Sequence, residues 1–248
     1  MTQVFLAYSG SGSQTLTLSK DRPELVGLNI LVSFYYIRQF EKNKHLIISP
    51  KATILDSGAF SAWKSKKDIN IDALVEESKK VRWTESVALD VIGDHEESFK
   101  NALYMKNKGS PAYPVFHYGE PFEYLQEYKK LFPKVGLSCR FGEARKDSIK
   151  WLERCFSVAW PYKFHSFGWV EEKMLLSFPF HTADTASWDV GPSCFARWKS
   201  FGGKLSVSGA MDLIGEVLFY KKLQQRLEWR WKNQLAQFGP LVCDQLPT

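Results

Sequence analysis

The sequence predicts an α/β fold, a closed (β/α)8 barrel of TIM type forming one domain over residues 1–248. Three observations lead there. Eight short β-rich runs follow one another along the chain, most of them are separated by stretches with helical spacing of apolar residues, and 248 residues suit one such barrel better than one sandwich. Apolar residues make up 44% of the chain, enough to fill a core of that size, which excludes a disordered protein.

The runs are Val4–Tyr8, Leu28–Ser33, Ala52–Asp56, Val87–Asp90, Tyr113–His117, Lys134–Ser138, Lys163–Gly168 and Phe180–Asp184. A short Gly/Ser-rich loop, Ser9–Gly12, follows the first. Between later runs, Ile71–Trp83 places Ile71, Leu74, Val75 and Val81 on roughly one helical face, and His95–Lys108, Pro121–Leu131, Arg145–Phe156 and Glu171–Phe178 read likewise. Pro121 and Pro179 fall at helix edges, where proline is tolerated. No linker, repeat or low-complexity tract divides the chain.

After Asp184 a Gly/Pro-punctuated stretch leads into a long helix, about 211–238. It carries Lys221, Lys222, Arg226, Arg230 and Lys232 against Glu228, with Trp229 and Trp231 beside them. This is either a docking helix with a solvated basic face or a nucleic-acid contact, and the second is the functional expectation. The net charge of +6 and a pI near 9.0 favour an anionic partner. The 9 Trp, 10 Tyr and 18 Phe suit unstacked bases where they lie among basic residues, although burial claims most aromatics.

Cys139, Cys155, Cys194 and Cys243 form no CxxC pair and no zinc-site spacing, so they read as reduced thiols of a cytoplasmic protein with no metal. The N-terminus lacks the pattern of a signal peptide, and the longest apolar stretch, Leu25 to Ile37, is too short for a membrane span.

Barrel enzymes place their sites at the C-terminal ends of the strands. The residues expected there are Asp56, Asp90, His117, Ser138 with Cys139, His165 with Phe167 and Gly168, and Asp184. Any one Asp is readily a cap or turn residue, but three at strand ends converge on one mouth. Paired carboxylates there suit attack at an anomeric carbon, one as nucleophile and one as proton donor. A third would accept from the ring NH and amine of a guanine edge. This chemistry fits a glycosidase, a transglycosylase or several lyases.

At these motifs the chain resembles the tRNA-guanine transglycosylase superfamily, most of all its short phage branch. LDSGAFSAW, Leu55 to Trp63, is similar to the family's Asp-Ser-Gly-Gly-Phe segment. ALDVIGD is similar to the segment whose Asp binds the base, and KVGLS to the Gly-Gly-Leu stretch of the base pocket. Lys163 to Trp188 resembles a His-x-Phe-Gly turn, a short helix and an Asp-Ser/Thr-x-Ser-Trp ending. The likeness runs in order from about residue 25 to residue 190. It implies exchange of guanine in a nucleic acid for a 7-deazaguanine, in a phage-encoded protein of the host cytoplasm. Asp184 would be the nucleophile and Asp56 the general acid/base. Asp90, Ser57, Gly58, Phe60, His117, Gly136, Leu137, His165, Phe167 and Gly168 would line the base site. No cofactor and no metal are implied.

Two departures bear on the substrate. The Cys/His zinc subdomain of the tRNA enzymes has no counterpart, which points to DNA rather than tRNA and makes the basic C-terminal helix the replacement contact. Ser61 stands where the family has Gln. Exchange in tRNA, and a barrel that only binds nucleic acid or a modified base, are the alternatives.

Overall fold

The computed structural model describes residues 2–139, 145–190, 199–201 and 213–238. Eight parallel strands make its centre: β1 (Gln3–Tyr8), β2 (Asn29–Ser33), β3 (Ala52–Asp56), β4 (Glu85–Ser86), β5 (Val115–His117), β6 (Lys134–Ser138), β7 (Lys163–Phe167) and β8 (Thr182–Thr185). The ladder order is β4-β3-β2-β1-β8-β7-β6-β5. Its two ends meet through a parallel bridge between Val87 and Tyr113. There the Ala88 N–H donates to the Tyr113 carbonyl at 2.8 Å, and the Tyr113 N–H to the Ser86 carbonyl at 3.0 Å. The sheet closes into a (β/α)8 barrel, which removes its free edges.

Around it run α1 (Gly12–Thr17), α2 (Ile37–Asn43), α3 (Ala59–Lys64), α4 (Ile71–Ser78), α5 (His95–Asn107), α6 (Phe122–Leu131), α7 (Arg145–Ala159), α8 (Glu172–Ser177) and α9 (Ile214–Phe238). Three of their starts follow from local capping chemistry. Ser11 and Gln14 form a reciprocal capping box on α1, and Asn70 and Asp94 accept the orphan N–H groups of Ala73 and Glu97. Strand alternation divides the apolar residues between two layers. Phe5, Leu31, Ile54, Val87 and Val115 pack inside the barrel, while Val4, Leu6, Ile30, Leu55, Leu137 and Phe164 face the helices.

Several boundaries differ from the sequence reading. The expected helix over 71–83 stops at Ser78, whose hydroxyl turns back to the Val75 carbonyl. Trp83 then folds onto Glu77 through its indole N–H at 3.0 Å, and Val81, expected on the buried face, is fully exposed. The fourth strand ends before Asp90, because the Leu89 and Val91 N–H groups leave the ladder for Met105 Sδ and Ser98 Oγ on α5. The eighth begins at Thr182 rather than Phe180, which is held in a turn with Phe178. The short helices α1, α2 and α3 are additional to the expected set.

Helix α9 begins at Ile214; Met211 lies outside the described residues, as do Cys194 and Cys243. It runs down the outside of the barrel. Tyr220 bonds near the top with Thr185 and Ser187, Gln224 accepts from the Val4 N–H and the Asn29 side chain at the N-terminal strand ends, and the Trp231 indole donates to the Leu175 carbonyl. Trp231 is buried, so truncation to alanine should cost about 3–5 kcal/mol in urea unfolding. Replacing the exposed Lys222 and Lys232 together should change stability by less than about 0.5 kcal/mol.

Candidate active site

The C-terminal ends of the strands surround a cavity of about 610 Å³. Asp56 closes β3, Asp184 lies in β8, His117 closes β5, and Asp90 reaches over the mouth from the segment after β4. Phe60, Phe167 and Trp169 provide aromatic wall, and Ser33, Ser57, Ser138 and Gly168 provide polar lining. Tyr118, next after His117, packs against Trp151 with ring centroids 5.8 Å apart and stays off this wall.

Asp56 accepts from the Gly58 N–H at 3.0 Å. That bond requires the chain to turn through a left-handed residue: Gly58 has φ +81°, and a Cβ there would meet the Tyr35 nitrogen at 2.7 Å. Burial above all, then the charges of Asp90 and Asp184, push the Asp56 carboxyl up to about 7. Asp184 accepts from the Gly168 N–H and from His165 Nε2, each at 3.2 Å, yet burial also raises it to about 7. Two neighbouring carboxyls in low dielectric resist double ionisation, so near neutrality the pair holds about one proton. One member can then donate a proton while the other attacks as an anion.

Asp90 is tied more closely than a bare base-reading carboxylate. One oxygen accepts from Ser57 Oγ at 3.1 Å, and the other pairs with His117 Nε2 at 3.1 Å. His117 Nδ1 pairs with Glu120 at 2.9 Å. Burial opposes the imidazolium, but these two carboxylates outweigh it and raise His117 to about 9. Each Asp90 oxygen keeps a lone pair for a further donor.

Of the expected base-site residues, Asp90, Ser57, Phe60, His117, Phe167 and Gly168 reach the cavity wall. Leu137 faces the helix layer, as strand alternation demands next to an inward Gly136. Gly136 makes room for the Phe167 ring, since a Cβ would lie 2.1 Å from it. His165 is fully buried beneath Asp184. Cys139 reaches the wall, but burial pushes its thiol up to about 12, which keeps it unreactive.

The basic helix is not gathered at this mouth. Lys221 donates to the Glu24 and Val26 carbonyls, Arg226 pairs with Glu172, and Arg230 bonds the Leu176 carbonyl, so three of the five cations dock α9 to the barrel wall. Lys222 and Lys232 are exposed on the same helix. Beside the mouth lies a different basic and aromatic strip, of which sequence reasoning singled out only Phe60. Phe60 and Trp63, 49% and 59% exposed, lie one turn apart on α3 with ring centroids at 6.1 Å, and the exposed Lys64, Lys66 and Lys67 follow. Among the described residues, no helix is long and apolar enough to cross a membrane, and no cluster of His, Cys, Asp or Glu is arranged to hold a metal.

No protein-family model matches the chain, and no curated protein does. Solved structures do. Three mutant tryptophan synthase alpha-subunits from the hyperthermophile Pyrococcus furiosus are similar, with TM-scores of 0.52, 0.50 and 0.51 at 10%, 11% and 10% identity. The alignments cover 91–92% of this chain and 96% of those chains. At such identity the likeness is one of fold: the chain is a (β/α)8 TIM-type barrel.

The shared proton has a thermodynamic signature. Folded-state values near 7 exceed the unfolded value of 3.8, so the native form keeps protons that the unfolded chain releases. That advantage is present below about pH 4 and is lost as pH rises towards 7. A double variant, Asp56→Asn with Asp184→Asn, should therefore gain stability relative to the parent between pH 4 and 7, with no further gain above. Urea unfolding across that range measures it. A difference independent of pH would mean that both carboxyls are ordinarily solvated.

Proposed function

We propose that this chain is a base-exchange transglycosylase that replaces guanine in DNA with a 7-deazaguanine derivative through a covalent glycosyl-enzyme. The observation that carries the reading is the buried pair Asp56 and Asp184 at the barrel mouth, with Asp90 on the same cavity. These are the three positions to which the resemblance assigns proton transfer, nucleophilic attack and base binding.

In this scheme the target nucleotide turns out of the stack into the cavity. The Asp184 carboxylate attacks the anomeric carbon. The bond to guanine breaks, its electron pair goes to the base, and the proton on Asp56 neutralises the departing ring. The incoming deazaguanine, held by Asp90 and stacked on Phe60 or Phe167, returns a proton to Asp56. Its ring nitrogen attacks the same carbon and releases Asp184. One glycosidic bond replaces another, so no external energy source enters.

The rim strip of Phe60, Trp63, Lys64, Lys66 and Lys67 supports a polymeric anion as substrate. Aromatic faces stack on unpaired bases and the ammonium groups meet phosphates, beside the opening through which a nucleotide would enter. On helix α9, Lys221 and Arg230 are engaged with backbone carbonyls of the barrel wall, which favours a contact elsewhere. On this reading the nucleic-acid contact is therefore assigned to α3 and the turn after it.

Incubation with labelled guanine-containing duplex DNA, single-stranded DNA and tRNA, together with several 7-deazaguanines, tests the reading. Base exchange in DNA supports it, exchange in tRNA alone moves the substrate to tRNA, and binding without exchange leaves a binding barrel. Asp184→Asn should lower exchange at least ~10³-fold and abolish an adduct that survives denaturing gels. Trp63→Ala combined with alanine at Lys64, Lys66 and Lys67 should raise KM for the polymer and leave KM for the free base unchanged. It should also flatten the log-affinity against log-salt slope by about 0.7–0.9 per lost phosphate contact. Alanine at Lys222 and Lys232 should leave that slope where it was.

A further inference from the structure

A lysine is buried inside the barrel, two layers below the mouth, where no step of the proposed reaction uses it. Lys134 opens β6 at 4% exposure and donates to Glu85 of β4 and to Thr182 Oγ1 of β8. The Tyr113 ring lies 4.7 Å from its nitrogen. The same Thr182 hydroxyl meets His165 Nδ1 at 2.7 Å, and His165 Nε2 meets Asp184 Oδ1 at 3.2 Å. Glu85, Lys134, Thr182, His165 and Asp184 thus form one hydrogen-bonded series from the N-terminal strand ends to the cavity.

Donor and acceptor rules give this series a direction. Burial lowers Lys134 to about 8 against the pull of Glu85, so below that pH it is an ammonium group, which only donates, and Thr182 Oγ1 accepts from it. The one hydroxyl proton of Thr182 is then left for His165 Nδ1, which must accept. Burial, with the charge of Lys134, holds the imidazole well below its ordinary value and therefore neutral. A neutral ring that accepts at Nδ1 carries its proton on Nε2. That N–H donates to Asp184 Oδ1, which also takes the Gly168 N–H. Both bonds fall on one oxygen, so Oδ2 is the oxygen offered to the cavity.

We propose that Lys134 and Thr182 are positioning residues that lock His165 in its Nε2–H tautomer and so hold Asp184 as an oriented carboxylate. The opposite tautomer would turn an Nε2 lone pair towards Asp184 Oδ1. Asp184 would then need a proton of its own to make that bond, and as a carboxylic acid it would be a poor nucleophile. The buried ammonium group thereby selects which member of the carboxyl pair keeps the shared proton, favouring Asp56. The tautomer itself is independent of the proposed function. Its consequence for rate rests on that reading.

Imidazole 15N chemical shifts of the histidine-labelled protein read the tautomer directly, with the His165 signals assigned by their loss in His165→Gln. The expected result is a bare Nδ1 and a protonated Nε2 in the parent and in Thr182→Ser. Thr182→Val and Lys134→Met should show mixed or reversed tautomers. A parent protein with Nδ1–H or a doubly protonated ring overturns the proposal, even if every variant misfolds. So does an unchanged Nε2–H signal in folded Thr182→Val. In the adduct assay, Thr182→Val should slow glycosyl-enzyme formation by about 10–100-fold, as loss of an outer partner of a functional imidazole does, and serine should restore it. A parent that forms no adduct but shows the Nε2–H ring would refute the transglycosylase reading alone.

Discussion

Two carboxyl groups buried at one mouth resist ionising together until the pH rises above about 7, and much of the barrel interior is arranged around that constraint. Asp56 and Asp184 arrive from β3 and β8, and burial raises both to about 7. Their surroundings are uneven. Asp56 has backbone N–H groups and two carboxylate neighbours, whereas Asp184 has the Gly168 N–H and, from below, His165. That asymmetry distinguishes two carboxyl groups whose residue identity is the same.

A second device manages the remaining negative charge. His117 lies between Asp90 and Glu120 and is held as an imidazolium by both. Its charge limits the repulsion that Asp90 exerts on Asp56 and fixes the orientation of the Asp90 carboxylate. Ser57 fixes it from the other side, so the segment after β3 that supplies the N–H groups for Asp56 also supplies a bond to Asp90. Packing follows the same economy of position: Gly136 is bare because the Phe167 ring occupies the place of its side chain, and that ring becomes part of the cavity wall.

The order of strands and the three mouth aspartates were legible because strand alternation and chain order are written in one dimension. Strand ends were less so. The true end of β4 depends on the Leu89 and Val91 N–H groups finding Met105 and Ser98 on α5, a contact no local pattern announces. The outward face of Leu137 was available from its place beside Gly136, but the motif drew attention to the pair rather than to their alternation. Charge was the least legible property. Lys221, Arg226 and Arg230 read as either a docking face or a polyanion contact, and they bond carbonyls and a carboxylate of the barrel wall. Lys134, which the strand pattern places in a core run, had nothing in sequence to pair it with Glu85, 49 residues away.

That lysine shows why the interior of this barrel is not simply an apolar plug. An ammonium group removed from water is costly unless its donors are met, and Glu85, Thr182 and the Tyr113 ring meet them. A methionine of similar length would fill the same space at lower electrostatic cost, so packing alone does not account for the residue. What a methionine could not do is dictate the direction in which Thr182 donates. The direction passes through His165 to Asp184, and it is set by a group that has no acceptor. Stability at the closed end of the barrel and chemistry at its open end are therefore coupled through the polarity of one hydroxyl.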